Sequence, residues 1–419
     1  MTTASVAPVA ANRPSLWRNR DFRIFMGGQG VSALGDAVSF TALPLLVLFL
    51  TGSGVQMGLV GVLQTVPDLL FGLPAGALAD RYDRRRMMLA ADLGRAALTA
   101  LIPLSFVLGW DTMTVILIVT APINLLRVVF MAGFTGALPS LARRDQVGQA
   151  NSLAEAVFSF SFIIGPAVAG LLVGVIGAAA TIAIDAVSFA ASAVAMLLIS
   201  RPLQGERTGE RRHLVHEIAE GVRFIWREQT LRMVISFWSV VSIISAPLVP
   251  SVIFYLTVDR GQPSQIVGLV VSGYGVGFLM GALLAGRMSR GPLGRLMLSA
   301  NLASYAALAA FALSEAVPLW LVAAAATGLS GSLVLVSYVT LRGTIPPDGL
   351  LGRVGSTART LSLGLQPIGL LVGGTLLDLV GGRATMLGIA AVAGVATMLF
   401  AFSPIMRAAR VPVRAAAAS

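Results

Sequence analysis

The chain has 419 residues, 56% hydrophobic and only 12% charged, with 30 basic side chains against 19 acidic ones and no cysteine. So little polar surface cannot keep a chain of this length in water, and the absence of cysteine excludes disulfides, thiolate nucleophiles and cysteine-held metals. Every basic residue is arginine, which excludes a Schiff-base lysine, and the two histidines, His213 and His216, are too few for a metal site.

Crossing the hydrocarbon core takes about 20 apolar residues as a helix. Such runs recur at 22–50, 55–79, 87–109, 112–137, 150–175, 179–200, 231–257, 264–287, 293–314, 317–341, 355–378 and 383–405. They predict an all-α membrane protein of twelve transmembrane helices, since a barrel would show alternating segments half as long. With an even number of spans both termini share one side, and that side collects 26 of the 30 arginines; Arg95, Arg127, Arg260 and Arg383 are the exceptions. Positive loops stay in the cytoplasm. The basic balance therefore reports topology and anionic lipid headgroups as neighbours, and calls for no nucleic-acid partner. The divisions that follow are a cytoplasmic tail at 1–21, six spans over 22–200, a cytoplasmic linker at 201–230, six more spans over 231–405 and a cytoplasmic tail at 406–419.

Span one carries Asp36 at its middle and span two carries Asp68 directly after Pro67. A charge at the bilayer centre costs from about 2.5 kcal/mol upward, so it pairs or faces water. Asp68 reads first as a group bonded to backbone freed by Pro67, with titration as the alternative. The loop after span two, Gly76-Ala-Leu-Ala-Asp80-Arg81-Tyr-Asp83-Arg84-Arg85-Arg86, holds six charges between two apolar runs. There Asp80 is placed to meet Arg81, Arg84 or Arg85 and the N-terminus of a neighbouring helix, where a carboxylate gains about 0.3–1 kcal/mol. Part of the arginine cluster also suits anchoring to headgroups.

Arg127 lies a little inward of the middle of span four. In span five, Gly165-Pro166 removes a backbone donor, and Ala169 and Gly170 after it allow a neighbouring helix to come close. Asp185 in span six reads first as a brace between helices and second as a titrating group. In the linker, Leu214, Ile218, Val222, Ile225 and Trp226 fall at helical spacing, which predicts an amphipathic helix on the membrane surface tying the two halves together.

The two halves echo each other. Pro44 answers Pro247 at 203 residues, Gly76-Ala-Leu answers Gly281-Ala-Leu at 205, and Gly165-Pro166 answers Gln366-Pro367 at 201. Parallel six-span repeats of this kind place a substrate site near the midplane between the halves. Amide and aromatic residues that suit an amphipathic ligand there are Gln29, Phe40, Trp238, Tyr255, Tyr274, Asn301, Tyr305, Tyr338 and Gln366, each equally readable as packing or as an interfacial anchor.

Gly76-x-x-x-Asp80-Arg81-x-x-Arg84-Arg85 resembles the loop signature of the major facilitator superfamily, and Gly165-Pro166 with Gly170 resembles its antiporter motif. Ala150-Asn151-Ser152-Leu153, Asp185-Ala-Val-Ser-Phe189 and Gly221-Val-Arg-Phe-Ile-Trp226 are similar to the branch of enterobactin exporters and macrolide-efflux permeases. The resemblance implies two pseudo-symmetric six-helix bundles working as a monomer without cofactor or metal. It also implies export of a small amphipathic compound, such as a siderophore, macrolide or other drug-like molecule, across the inner membrane by proton antiport and alternating access. In that fold spans one and four face each other, so Asp36 is expected to pair with Arg127 as the proton switch, with Asp68 and Asp185 as further coupling candidates. Gly76, Asp80, Arg81, Asp83, Arg84 and Arg85, together with Gly165, Pro166 and Gly170, are expected to gate. An uptake or lipid carrier of the same fold, or a non-transporting sensor, is the alternative. No His-Glu-x-x-His pattern or nucleophile with its base points to an enzyme.

Overall fold

The computed structural model of the chain describes residues 16–203, 214–288 and 291–411, without the side chains of Leu73, Ala77, Asp80, Arg144, Leu214, Val215, His216, Glu217, Ile218 and Asp348. The first six spans are single helices: α1 (Arg20–Thr51), α2 (Gly54–Arg81), α3 (Arg84–Leu108), α4 (Thr112–Leu141), α5 (Val147–Ile176) and α6 (Ala178–Leu198). The amphipathic helix α7 (Leu214–Arg227) follows. Span seven is broken into α8 (Gln229–Ser245), α9 (Leu248–Phe254) and a π turn over Tyr255–Asp259. Spans eight to ten are α10 (Ser264–Met288), α11 (Leu293–Leu313) and α12 (Val317–Thr344). Span eleven combines α13 (Leu351–Leu363) with the first part of α14 (Gln366–Ala401), and span twelve is the rest of α14. The short α15 (Pro404–Ala408) ends the described chain.

The twelve expected passes are thus present, with breaks that the hydrophobic pattern does not show. Pro44 and Pro166 ride inside continuous helices, whereas their counterparts sit at breaks: Pro247 directly precedes α9, and Pro367 is in the first turn of α14. The first half is therefore built on unbroken helices and the second on jointed ones at matching positions.

Successive spans alternate in direction, so the turns fall on two faces. The arginine-rich loops lie on one, called the basic face below, and the short turns on the far face. Gly52, Gly109, Gly177, Gly261 and Gly381 stand in five of the six far-face turns, and all have positive φ, from 59° to 84°. A left-handed glycine ends a helix within one residue, which makes those turns tight.

Within the first half α1 packs on α5 and α6, α3 on α4 and α6, and α2 on α4; within the second α10 and α11 pack on α12, and α11 on α14. These are the two six-helix bundles. Large apolar residues such as Val107, Val175 and Leu379, all at least 70% exposed, point outward, as a lipid-facing surface requires. Helix α7 lies against α13 and α8, with Glu220 paired to Arg353 and Ile225 buried. Its described residues fasten it to the second bundle rather than joining both.

The bundles meet through α5 against α10 and α2 against α14. A Cβ added to Gly170 would lie 2.3 Å from the Ser264 carbonyl oxygen, and one on Gly374 would lie 2.5 Å from that of Gly54, so backbone touches backbone at both seams. The Ala167 N–H donates to Ser272 Oγ at 2.8 Å. Asp378 of α14 accepts from Ser53 Oγ at 2.7 Å and the Val55 N–H at 3.1 Å, and also from the Gly54 N–H. It caps the N-terminus of α2 from the opposite bundle. All these contacts lie in the half of the molecule nearer the far face.

Losing a helix cap costs about 0.5–2 kcal/mol. Asp378→Ala should therefore raise any population in which α2 and α14 are parted at the far face by roughly two- to thirtyfold, as 1.4 kcal/mol is tenfold. Because the chain lacks cysteine, spin labels on single cysteines introduced at the far-face ends of α2 and α14 would read it as a longer-distance fraction. An unchanged distance distribution would show that the cap has no part in the seam.

Candidate functional site

A cavity of about 540 Å³ lies in the first bundle, lined by α1 to α6. Its wall is largely apolar, with Phe40, Phe130, Phe158, Phe162 and Phe189 among the lining residues, and into it come Asp36, Asp68, Arg95, Arg127 and Asp185. A neighbouring cavity of about 310 Å³ shares Phe40, Gln64 and Thr65 with it and extends to Ser245, Tyr274 and Gln366 of the second bundle. The two form a space between the bundles with all its charge on one side.

The charges are held in pairs, and the pairs differ from the expected one. Asp36 of α1 accepts from Arg95 of α3, and Arg127 of α4 donates to Asp68 of α2. Asp36 and Arg127 thus line the same cavity with different partners. The packing fits this: α2 lies along α4, which α1 meets only lightly, while α1 and α3 both rest on α6. Arg127 Nε also donates to Asn124 Oδ1 at 3.3 Å. Asp68 is committed to the guanidinium, which replaces its expected role toward backbone freed by Pro67.

Arg95 is the group that sequence reasoning missed. Counted near the start of span three, it is 1% exposed, with its guanidinium carbon 3.8 Å from the centre of the Phe189 ring and its Nη1 3.7 Å from Asp92 one turn earlier. An Asp and an Arg three residues apart inside an apolar run were the available signal. Asp185 is 3% exposed, accepts from Ser188 Oγ at 3.0 Å and packs on Gly35, beside Asp36. Its bracing contact is real, yet it also belongs to the charged wall of the cavity.

Of the expected ligand contacts, Gln29 and Phe40 line the larger cavity, and Tyr274 and Gln366 the smaller one. The others line neither. Tyr255 donates to the Ser314 carbonyl and packs on Phe311 and Trp320. Asn301 donates to Thr397 Oγ1 at 2.7 Å, Tyr305 is buried, and Trp238 stacks on Tyr338 with ring centres 4.8 Å apart. These residues hold the second bundle together.

At the basic face, Arg85 donates to the carbonyls of Met196 and Leu197 at the end of α6, and Arg84 to that of Gly136. Cations at a helix C-terminus oppose its dipole. Asp83 caps α3 by accepting from the Arg86 N–H at 2.8 Å, while Arg81 is exposed. Gly76 has open space around it, and the Asp80 side chain lies outside the described residues. Gly165 packs on Ala37 of α1, and Pro166 and Gly170 stand at the α5–α10 seam.

Residues 13–419 match the family of transmembrane secretion effectors. The chain belongs to that family, within the major facilitator superfamily. It is 32% identical to the multidrug efflux pump Tap of Mycolicibacterium fortuitum over 374 residues, which cover 85% of this chain and 88% of the relative. It is 26% identical to macrolide efflux protein A of Streptococcus pyogenes, over 87% and 91% of the two chains. The fold is similar to that of the D323A mutant of the nucleoside transporter NupG, with a TM-score of 0.77 at 12% identity over 93% of this chain and 100% of that one.

The pairing can be checked by double-mutant cycles on thermal unfolding in detergent. Removing Asp68 and Arg127 singly and together should give a coupling of about 0.5–3 kcal/mol, as should Asp36 with Arg95. Asp36 with Arg127 should couple more weakly than either. A strong Asp36–Arg127 coupling would restore the partnership expected from the sequence.

Proposed function

We propose that this protein is a secondary active efflux transporter of the cytoplasmic membrane that expels a small amphipathic organic compound in exchange for protons, by alternating access. The observation that carries this reading is a cavity with aromatic walls in which two of the lining carboxylates, Asp36 and Asp68, are paired to arginines rather than left bare. An apolar wall takes up a hydrophobic ligand, and paired carboxylates can change charge without leaving an ion stranded. The efflux names of the relatives supply the direction, and macrolides and other drug-like molecules the class of cargo.

The basic face is cytoplasmic on the positive-inside argument, so both ends of the chain face the cytoplasm. The far-face seams then hold the state closed to the outside, and cargo reaches the cavity from the cytoplasm or the inner leaflet. Asp36 is the proton-binding group: 42% of its side chain is exposed, whereas Arg95 beside it is 2% exposed. A proton on Asp36 cancels its attraction for Arg95, and its release restores the pair. Cargo and proton alternate because the cavity cannot hold both the neutralised and the paired arrangement at once. Asp68 with Arg127 forms a second pair, about one third exposed, between α2 and α4 and steadies the charge balance while Asp36 changes state. The loop around Asp80 and the Gly165-Pro166 seam are the parts that move, on the basic and far sides respectively.

In proteoliposomes loaded with ethidium or a macrolide, wild-type protein should move the probe against its gradient only when a proton gradient is imposed. Asp36→Asn should lower that coupled rate by 100-fold or more, as loss of the protonatable group leaves nothing to couple, while the purified protein still elutes as a folded species. Movement independent of the proton gradient would overturn the coupling. Full coupled activity in Asp36→Asn would move the switch to Asp68.

A further inference from the structure

Three carboxylates converge on the buried guanidinium of Arg95. Asp36 comes from α1, Asp92 from the preceding turn of α3, and Asp185 from α6, where it lies within electrostatic reach of both Asp36 and Arg95. The remaining charge facing this space from α4 is Arg127, and Asp68 of α2 neutralises it. One cation cannot satisfy all three anions at once, two of which, Asp92 and Asp185, are buried away from water, and an uncompensated buried carboxylate is strongly disfavoured. Arg95 is therefore contested among them.

The arrangement around Asp92 shows how the cation can move among these anions. Asp92 is fully buried, and its contact with Arg95 Nη1, at 3.7 Å, is looser than a hydrogen bond. Neither of its oxygens has a hydrogen-bond partner in normal geometry among the described residues, and neither does Arg95 Nε, although Ser192 stands close to Asp92. Ser192 Oγ accepts from Gln29 Nε2 at 3.1 Å, so its own proton is available to Asp92. Donor and acceptor capacity is thus held unused on adjacent side chains. The Phe189 ring, 3.8 Å beneath the guanidinium, supports its plane as it turns without competing for its N–H groups.

We propose that Arg95 exchanges partners during transport, passing from Asp36 to Asp92 when Asp36 takes up a proton and returning when the proton leaves. Asp92 is a positioning residue: it touches neither cargo nor cavity water and acts by receiving the cation that protonated Asp36 lets go. The proton comes from water reaching Asp36, stays on its carboxyl group and leaves to water, so no other group need change charge. The exchange spares the protein an unpaired buried guanidinium at each turnover.

This inference rests on proton coupling at Asp36, and the test separates the two. Probe efflux by reconstituted wild-type protein, with ethidium as probe, is measured against pH to obtain a midpoint. Asp92→Asn deprives Arg95 of its alternative and removes a nearby negative charge; both effects hold Asp36 ionised to lower pH, and the midpoint should move to acid by about one unit. Asp92→Glu brings a carboxylate closer to Arg95 and draws it from Asp36, so the midpoint should move the other way. Either variant alone suffices if the other does not fold. A purely structural Asp92 would lower the amount of folded protein or the rate and leave the midpoint in place, and that result overturns the exchange while leaving coupling intact. Shifts in the same direction for both variants would also overturn it. Wild-type efflux with no pH midpoint and no dependence on the proton gradient would remove the exchange together with the coupling beneath it.

Discussion

Everything distinctive in this molecule follows from the cost of keeping a charge away from water. Insertion of an isolated aspartate or arginine at the bilayer centre costs from about 2.5 kcal/mol upward, and the first bundle carries six such residues: Asp36, Asp68, Asp92, Arg95, Arg127 and Asp185. It accommodates them by pairing across helices. Asp36 meets Arg95 between α1 and α3, and Asp68 meets Arg127 between α2 and α4. These pairs make the inner wall of a bundle whose outer wall is apolar. On the proposed mechanism, stability of the bundle and its response to protons are one property, because the contacts that make burial tolerable are those a proton would undo.

The second bundle meets the same bilayer with little charge in its interior. Its core is aromatic and hydroxyl-rich: Trp238 on Tyr338, Tyr255 among Phe311 and Trp320, Asn301 on Thr397. It also carries the broken helices, at Ala246-Pro247 and before Gln366-Pro367. The repeat has diverged into a charged half on unbroken helices and an uncharged half with joints. On the proposed mechanism this is a division of labour, in which the charged half would sense the proton and the jointed half would bend.

Much of this was legible in the residues themselves. Run length and arginine placement give twelve passes and two faces, because both depend on composition along the chain. The matching prolines and glycines mark where the halves correspond. Asp36, Asp68, Arg127 and Asp185 stand out by depth alone, and all four line one cavity. What the sequence does not carry is which helix lies beside which. Asp36 and Arg127 are the natural pair if spans one and four face each other closely, yet α4 lies mainly against α2 and α3, and the arginine that reaches Asp36 is Arg95. Arg95 escaped notice because it stands near the start of its apolar run, where an arginine ordinarily reaches the headgroups; the packing of α3 against α6 denies it that route. The aromatic residues of the second bundle were ambiguous for a related reason, since a tyrosine lining a cavity and one bracing a core look alike in sequence.

The far face shows the same chemistry used at two strengths. Asp259 accepts from the N–H groups of Gly382 and Arg383, capping span twelve within its own bundle, and Asp378 accepts from the start of α2 across the bundles. A cap is worth about 0.5–2 kcal/mol, similar to the few kcal/mol that separate two states of a protein which populates both. Asp259 would keep its contact through a rigid-body movement of the bundles, whereas Asp378 would lose its contact if they parted at the far face. Asp378 is exposed, so water can replace the lost N–H groups at little cost. A buried pair in that position would lock the seam, and a bare apolar seam of glycines would give no preference for the register in which α2 meets α14. An exposed carboxylate on a helix N-terminus sets the register and can still let go, which is what the proposed alternating access requires of this seam.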